Sequence, residues 1–76
     1  MSRHLPALKP RDVLRALKHA GFSVHHISGS HYILKPEDRV DLRVTLPWHG
    51  KDLKRRTLKW IIDQSGLTVE EFLGLL

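Results

Sequence analysis

Apolar and polar residues alternate without a break between positions 40 and 46. The apolar positions of this row are Val40, Leu42, Val44 and Leu46. A period of two is typical of a β-strand that buries one face and leaves the other in water. Pro47 follows, and because proline cannot donate a hydrogen bond to a neighbouring strand, we expect the strand to end there. Other elements of the chain must therefore cover the apolar row.

Helical periodicity begins earlier, at Pro10. Proline suits the first position of a helix, where its missing N–H is not needed, and the apolar residues that follow recur at helical spacing. These residues are Val13, Leu14 and Leu17, with Ala20 extending the stripe. Gly21 accepts the left-handed conformation that commonly ends a helix. The pattern predicts a helix from about Pro10 to Ala20.

Two further helices are predicted towards the C-terminus. A second apolar stripe predicts a helix from about Lys54 to Ser65, with Gly66 as its stop. The stripe consists of Leu58, Ile61 and Ile62. After it, Thr68 and Glu71 form a capping-box pattern, which predicts a short third helix.

Between the first two helices, the sequence predicts three strands. Two of them, Phe22 to Ser28 and His31 to Lys35, precede the alternating row and are separated by a short turn. Short turns favour an antiparallel meander, and the apolar residues suffice to cover one sheet face, so we expect both helices on that face. The predicted fold is α+β, an α-β-β-β-α order with a three-stranded antiparallel sheet and a short C-terminal helix. This layout is similar to the double-stranded-RNA-binding fold.

The length of 76 residues predicts a single domain, 1–76, with a thin core and with residues 1–8 as a loose N-terminal lead. Such a core leaves no room for a cofactor, so we expect none, and we expect function on a face or an edge. The absence of cysteine excludes disulfides and thiolate zinc sites. Without the apolar run of a signal peptide or a membrane span, we expect a cytoplasmic protein with no membrane partner.

The charge of the chain favours an anionic partner. It has 13 Lys and Arg residues against 8 Asp and Glu residues, a formal net charge of +5. One basic cluster lies at the start of the predicted second helix and consists of Lys51, Lys54, Arg55, Arg56 and Lys59. Because cations oppose the helix dipole there, the cluster favours a phosphate-binding site. The alternative is a solvated charge run, with Asp52 as the helix cap.

His31 is the first candidate for acid–base chemistry. Histidine transfers protons near neutral pH without a metal, which suits the cleavage of RNA by its own ribose 2′-hydroxyl. His31 opens the second predicted strand directly after a turn, at a sheet edge that RNA could reach. Alternation predicts that Tyr32 and Leu34 face the core, which leaves His31 and Ile33 on the open face.

The other aromatic and imidazole side chains leave alternatives open. His49 is a candidate for a second proton carrier. No metal site is expected, because the histidines lack a known ligand spacing and the neighbours His25 and His26 should point to opposite faces of a strand. Trp48 and Trp60 could stack on bases or pack partly into the core.

Several short motifs occur in an order that is specific for so short a chain. They are Ala20-Gly21-Phe22, Gly29-Ser30-His31, Leu46-Pro47-Trp48-His49, Leu53-Lys54 with Thr57-Leu58, Ser65-Gly66-Leu67 and Glu71-Phe72-Leu73. Together they resemble the HicA toxin family over nearly the whole chain. The chain departs from the family pattern at Arg56, where a glycine is common, and in a longer segment between Lys35 and Val40.

The resemblance implies an RNA-cleaving toxin, an mRNA interferase, that is neutralised by a HicB-like antitoxin. It also implies that the histidine of the Gly-Ser-His motif, here His31, is catalytic. The leading hypothesis is therefore a metal-independent endoribonuclease acting on mRNA, with Lys54 and Arg55 among its phosphate binders. The alternatives are a non-catalytic RNA-binding module and a small regulatory domain whose charge serves a protein partner. Cleavage of RNA in metal-free buffer would separate the first hypothesis from the other two.

Overall fold

The computed structural model of the protein describes residues 5–76, which form six elements. The helices are α1 (Pro10–His19), α2 (Arg55–Ser65) and α3 (Val69–Leu73), and the strands are β1 (Phe22–Ser28), β2 (His31–Pro36) and β3 (Val44–Pro47). The sheet is antiparallel with the order β1-β2-β3. The predicted α-β-β-β-α order, the three-stranded antiparallel sheet and the short C-terminal helix are confirmed.

Two of the sequence signals for helix ends, one stop and one start, have the predicted geometry in the structure. Gly66 ends α2 with a φ of 78°, in the left-handed region that glycine adopts without a steric penalty. Thr68 and Glu71 form a reciprocal capping box at α3. The Glu71 backbone N–H donates to Thr68 Oγ1 at 3.0 Å, and the Thr68 backbone N–H donates to Glu71 Oε1 at 2.9 Å.

One hydrophobic core joins the two long helices to the sheet. Its buried side chains on the helices include Val13, Leu17, Leu58, Ile61, Ile62 and Phe72, and those on the strands include Phe22, Leu34, Val44 and Leu46. Both helices therefore cover the same face of the sheet, as predicted. On β3, which has no strand on its outer side, the Thr45 backbone N–H donates to Gln64 Oε1 of α2 at 3.2 Å.

The prediction that the third strand begins at Val40 is wrong. The strand spans only Val44–Pro47, and Val40 is 93% exposed. The preceding residues form a loop in which the Arg39 guanidinium donates two hydrogen bonds to the Asp41 carboxylate, at 3.0 and 2.9 Å. These hydrogen bonds stabilise a turn. If the segment from Val40 paired with β2 as a strand, the turn would have to be disrupted. Leu42 is half-buried at the margin of the core.

Two further predictions need correction. Leu8 is buried in the core, and its carbonyl accepts a hydrogen bond of 2.7 Å from the Leu53 backbone N–H, so the N-terminal lead is not loose at its end. Positions 1–4 of the predicted lead lie outside the described residues. Ile33 lies outside the core cluster to which Tyr32 and Leu34 belong, as alternation predicts, but it is only 3% exposed, so its face is not open there. Its ladder partners are His26 on β1 and Thr45 on β3.

Within residues 5–76, no helix has the length and apolar character needed to cross a bilayer.

Candidate functional site

His31 occupies the first position of β2, directly after a two-residue turn. Gly29 adopts a φ of 59° in this turn, which suits the first position of a type II′ hairpin. The side chain of His31 is exposed, and its ladder partners are Ser28 on β1 and Pro47 on β3. Directly opposed residues of an antiparallel pair hold their Cβ atoms about 4.5–5.5 Å apart on the same face. The Trp48 backbone N–H extends the pairing by donating to the Ser30 carbonyl at 2.7 Å.

A hollow of about 340 Å³ lies between the end of β3 and the start of α2. We call it the first hollow; it is lined by Pro47, His49, Lys51, Asp52, Leu53, Lys54 and Thr57. His31 is not itself a lining residue, but its ladder partner Pro47 is, so His31 and the hollow lie at the same end of the sheet. The structure thus brings His31, His49 and two cations of the basic cluster to one end of the sheet.

The N-terminus of α2 opens on this first hollow. The helix begins after Lys54, whose side chain makes no capping hydrogen bond, and its first turn holds no acidic residue. The first N–H groups of a helix have no acceptor inside it and carry partial positive charge. The alternative of Asp52 as the helix cap is wrong, because the N-cap residue is Lys54; the Asp52 Oδ1 pairs instead with Lys9 Nζ at 3.1 Å. This end of the helix is therefore suited to an anion.

The cations of the predicted basic cluster do not all line the same hollow. Lys51 and Lys54 line the first hollow, whereas Arg55 borders a different one, formed with Leu53 and the N-terminal segment 5–7. Arg56 is exposed in the first turn of α2. Lys59 pairs with Asp63 one turn further along the helix, at 2.8 Å. Two of the five cations therefore line the first hollow.

His49 has a defined hydrogen bond. Its Nδ1 accepts from the Lys51 backbone N–H at 3.1 Å. An accepting Nδ1 carries no proton, so the proton of the neutral ring is on Nε2. His49 lines the first hollow and a second one of about 330 Å³, so it stands between the two.

The second hollow lies on the other side of His49. It is lined by Lys9, Arg11, Trp48, His49 and Gly50. Trp48 stacks on Tyr32 with ring centroids 4.1 Å apart and planes inclined by 13°, and it packs against the core. The Lys9–Asp52 ion pair joins the two hollows, since Lys9 lines the second and Asp52 the first.

Sequence reasoning did not single out the lining residues Lys9, Arg11 and Gly50, and it named Thr57 only as part of a family motif. Thr57 carries a partial signal, because it lies three residues after Lys54 on the first turn of α2. No sequence signal identifies Lys9 and Arg11, because they are some 40 positions from the segment they meet. That meeting depends on the Leu8–Leu53 hydrogen bond, which no local pattern indicates.

The prediction that His25 and His26 point to opposite faces is wrong. The ladder register shifts between Val24 and His26, which is a β-bulge, and a bulge interrupts the strict alternation of side chains. The two rings meet with Nδ1 atoms 2.8 Å apart.

Within residues 5–76, no group of three or more His, Asp or Glu side chains converges on a common point. Trp60 is 49% exposed and lies outside the core.

Comparison with known proteins identifies the chain at the level of its family. A search of curated proteins gives no significant match. The model of the family described as HicA toxin of bacterial toxin–antitoxin matches residues 10–67. The matched range extends from the first residue of α1 to just beyond α2, and it includes His31 and the first hollow. The chain therefore belongs to the HicA toxin family of bacterial toxin–antitoxin systems.

Proposed function

We propose that this toxin acts in the cytoplasm as an endoribonuclease on mRNA, that it needs no metal ion, and that His31 is its general base or acid. One observation carries the proposal. His31 is exposed at the start of β2 and is the ladder partner of Pro47, which lines the first hollow together with Lys51 and Lys54. A proton-transfer group therefore lies at the same end of the sheet as a cationic hollow, and RNA cleavage requires both.

The proposed reaction uses a nucleophile that the substrate already contains. The ribose 2′-hydroxyl attacks the adjacent phosphorus while a base removes its proton. The bond from phosphorus to the 5′ oxygen breaks, and an acid protonates the leaving oxygen. The products are a 2′,3′-cyclic phosphate and a 5′-hydroxyl. The protein needs proton carriers and donors that stabilise the charge of the five-coordinate phosphorus, but no nucleophile of its own.

The residues of the first hollow suit these roles. Lys51, Lys54 and the N-terminus of α2 would bind the phosphate oxygens. His49 is the candidate for the second proton carrier, and Nε2 is the nitrogen that would donate, because Nδ1 is engaged by the Lys51 N–H. Arg55, Arg56 and Lys59 would attract RNA at longer range rather than contact the reacting phosphate.

The family also implies a partner that controls the toxin. We propose that the partner is a HicB-like antitoxin that covers His31 and the first hollow. Carboxylates on its surface would complement Lys51 and Lys54, since opposite charges speed association and fix orientation.

The test measures cleavage of an end-labelled mRNA by the purified chain in buffer with a chelator. We expect cleavage by the wild type and a loss of roughly 10²–10⁴-fold in His31→Ala. His19→Ala is the matched control, because His19 is exposed in the last turn of α1. Full activity of His31→Ala would refute the role of His31, and loss of wild-type cleavage with the chelator would refute metal independence. Binding of RNA without cleavage under all conditions would favour the RNA-binding module instead.

A further inference from the structure

The second hollow combines an aromatic side chain with cations, and the proposed cleavage reaction does not use it. Trp48 is partly exposed there, while Tyr32 covers part of its indole by stacking. This stacking and the packing of Trp48 against the core fix the orientation of the ring. A fixed aromatic ring loses little conformational entropy when a flat partner packs on it.

Arg11 is the cation of this hollow that is free to bind an anion. It is exposed on the first turn of α1, and no carboxylate in the described part of the chain forms an ion pair with it. The neighbouring Asp12 carboxylate interacts with the charge of Arg11 without forming an ion pair, and its hydrogen bonds come from the Lys9 backbone N–H at 2.9 Å and from Arg15 at 3.2 Å. Lys9, the other cation, is paired with Asp52.

A fixed aromatic side chain beside an unpaired guanidinium suits one class of ligand. Nucleobases stack on aromatic side chains whatever their sequence, and guanidinium groups bind phosphate through two parallel hydrogen bonds. A volume of about 330 Å³ lies at the lower end of the range for pockets that hold small organic groups. A nucleotide presents both the flat base and the phosphate.

We propose that the second hollow binds one nucleotide of the RNA, with its base against Trp48 and its phosphate at Arg11. The inference rests on the proposed function, because it assumes that the RNA lies in the first hollow. His49 borders both hollows, so the bound nucleotide would be a near neighbour of the scissile phosphate. The second hollow would then fix the position of the RNA and contribute to the choice of cleavage site.

Fluorescence of Trp48 tests the contact with the base. The Trp60→Phe variant keeps Trp48 as its single tryptophan, and Trp60 is half-exposed and outside the core, so the variant should fold. The probe is a short single-stranded RNA with 2′-O-methyl groups, which has no nucleophile and cannot be cleaved. We expect this RNA to quench Trp48. An abasic strand with the same phosphates should bind but leave the fluorescence unchanged.

Salt dependence tests the contact with the phosphate. For Arg11→Gln, we expect several-fold weaker binding and a decrease of about 0.7 in the slope of log affinity against log salt, the value for one phosphate of a single strand. Arg43→Gln is the matched control, because Arg43 is exposed just before β3, at the opposite end of that strand from Pro47.

Three results would overturn the inference. One is RNA binding that leaves Trp48 fluorescence unchanged, another is equal quenching by the abasic strand, and the third is an equal effect of Arg11→Gln and Arg43→Gln. If affinity still depends on Lys51 and Lys54 in such a case, the proposed function stands and only the second hollow is refuted. If neither strand binds at all, the proposed function fails as well.

Discussion

His31 of β2 and Pro47 of β3 are ladder partners at the end of the sheet where β3 leads towards α2. A shift of one residue in this register would move His31 to the face covered by the helices. The register is fixed further along the same ladder by the pair Leu34 and Val44, both of which are fully buried. The position of the candidate catalytic residue is therefore set by core packing three pairs away along the ladder.

Because core packing sets this register, we expect the loss of stability on truncating a side chain to be largest on β3 and to decrease in the loop that precedes it. Leu46→Ala should lower the free energy of unfolding by about 2–5 kcal/mol, because Leu46 is fully buried. Leu42→Ala should cost less, because Leu42 is half-buried. Val40→Ala should change stability by less than about 0.5 kcal/mol, because its side chain is in water. Urea denaturation of the three variants measures the series, and an equal cost for Val40 and Leu46 would contradict the short strand.

Local patterns predict most of this fold because its elements have clear start and stop signals. Gly66 and the Thr68–Glu71 capping box are such signals, and the helices end and begin where they predict. The strand predicted from the alternating row does not extend to Val40, because a period of two describes a strand only where a partner strand is present. Nothing in the row itself indicates that Arg39 and Asp41 form a turn instead.

The candidate site is less predictable because it depends on contacts between distant segments. His31 can be selected from the turn before it and from the family motif. The two hollows cannot be predicted from the sequence, because Lys9 and Arg11 meet the segment after β3 only when the chain is folded. The division of the basic cluster also depends on tertiary structure. Arg55 turns towards the N-terminal segment, and Lys51 turns towards His49.

Salt dependence should separate the cations of the first hollow from the rest. Replacing Lys51 and Lys54 together with glutamine should lower the slope of log RNA affinity against log salt by about 1.4, or about 0.7 for each phosphate contact. The control replaces Lys18 and Arg43, two exposed cations that do not line the first hollow, and removes the same charge. An equal change in both double variants would show that only the net charge matters.

Removing one carboxylate from the first hollow should strengthen RNA binding. Asp52→Asn takes away a negative charge that repels phosphate and releases Lys9 from its ion pair. The pair is substantially exposed and contributes little to stability, so the variant should fold normally. Asp63→Asn is the matched control, because it releases Lys59 from a comparable exposed pair on α2. We expect several-fold tighter binding for Asp52→Asn than for the control in a filter-binding titration, and equal affinities would contradict this.

Asp12 should contribute to the acid sensitivity of folding. The hydrogen bond from the Lys9 backbone N–H lowers the pKa of the Asp12 carboxyl below its usual value of 3.8, with Arg15 adding to the effect. A lowered folded-state pKa gives stability that is present above the unfolded value and is lost as the pH falls through the folded value. The melting temperature of the wild type should therefore fall more steeply below about pH 4 than that of Asp12→Asn. Glu37→Gln, a change at an exposed turn residue, should retain the wild-type slope.

Control by an antitoxin can be tested on the histidines themselves. If a HicB-like partner covers His31, then diethyl pyrocarbonate should modify His31 more slowly in the complex than in the free toxin. His19 is an internal control, because it lies at the last turn of α1, whereas His31 and the first hollow lie at the end of the sheet beside α2. Cleavage that stops while His31 keeps its full reactivity would mean that inhibition acts at a distance.

The electrostatic part of the same proposal has a kinetic signature. Lys54 lies at the uncapped start of α2, so a glutamate there would place a negative charge where we expect the carboxylates of the partner. Lys54→Glu should slow association with the antitoxin, and the difference from wild type should shrink as salt is added, because steering by charge is screened. Arg43→Glu makes the same kind of charge reversal in an exposed residue just before β3. Stopped-flow measurement of both variants decides the point. If they associate equally fast, the partner is not oriented by the first hollow, and the surface that it covers must be sought elsewhere on the toxin.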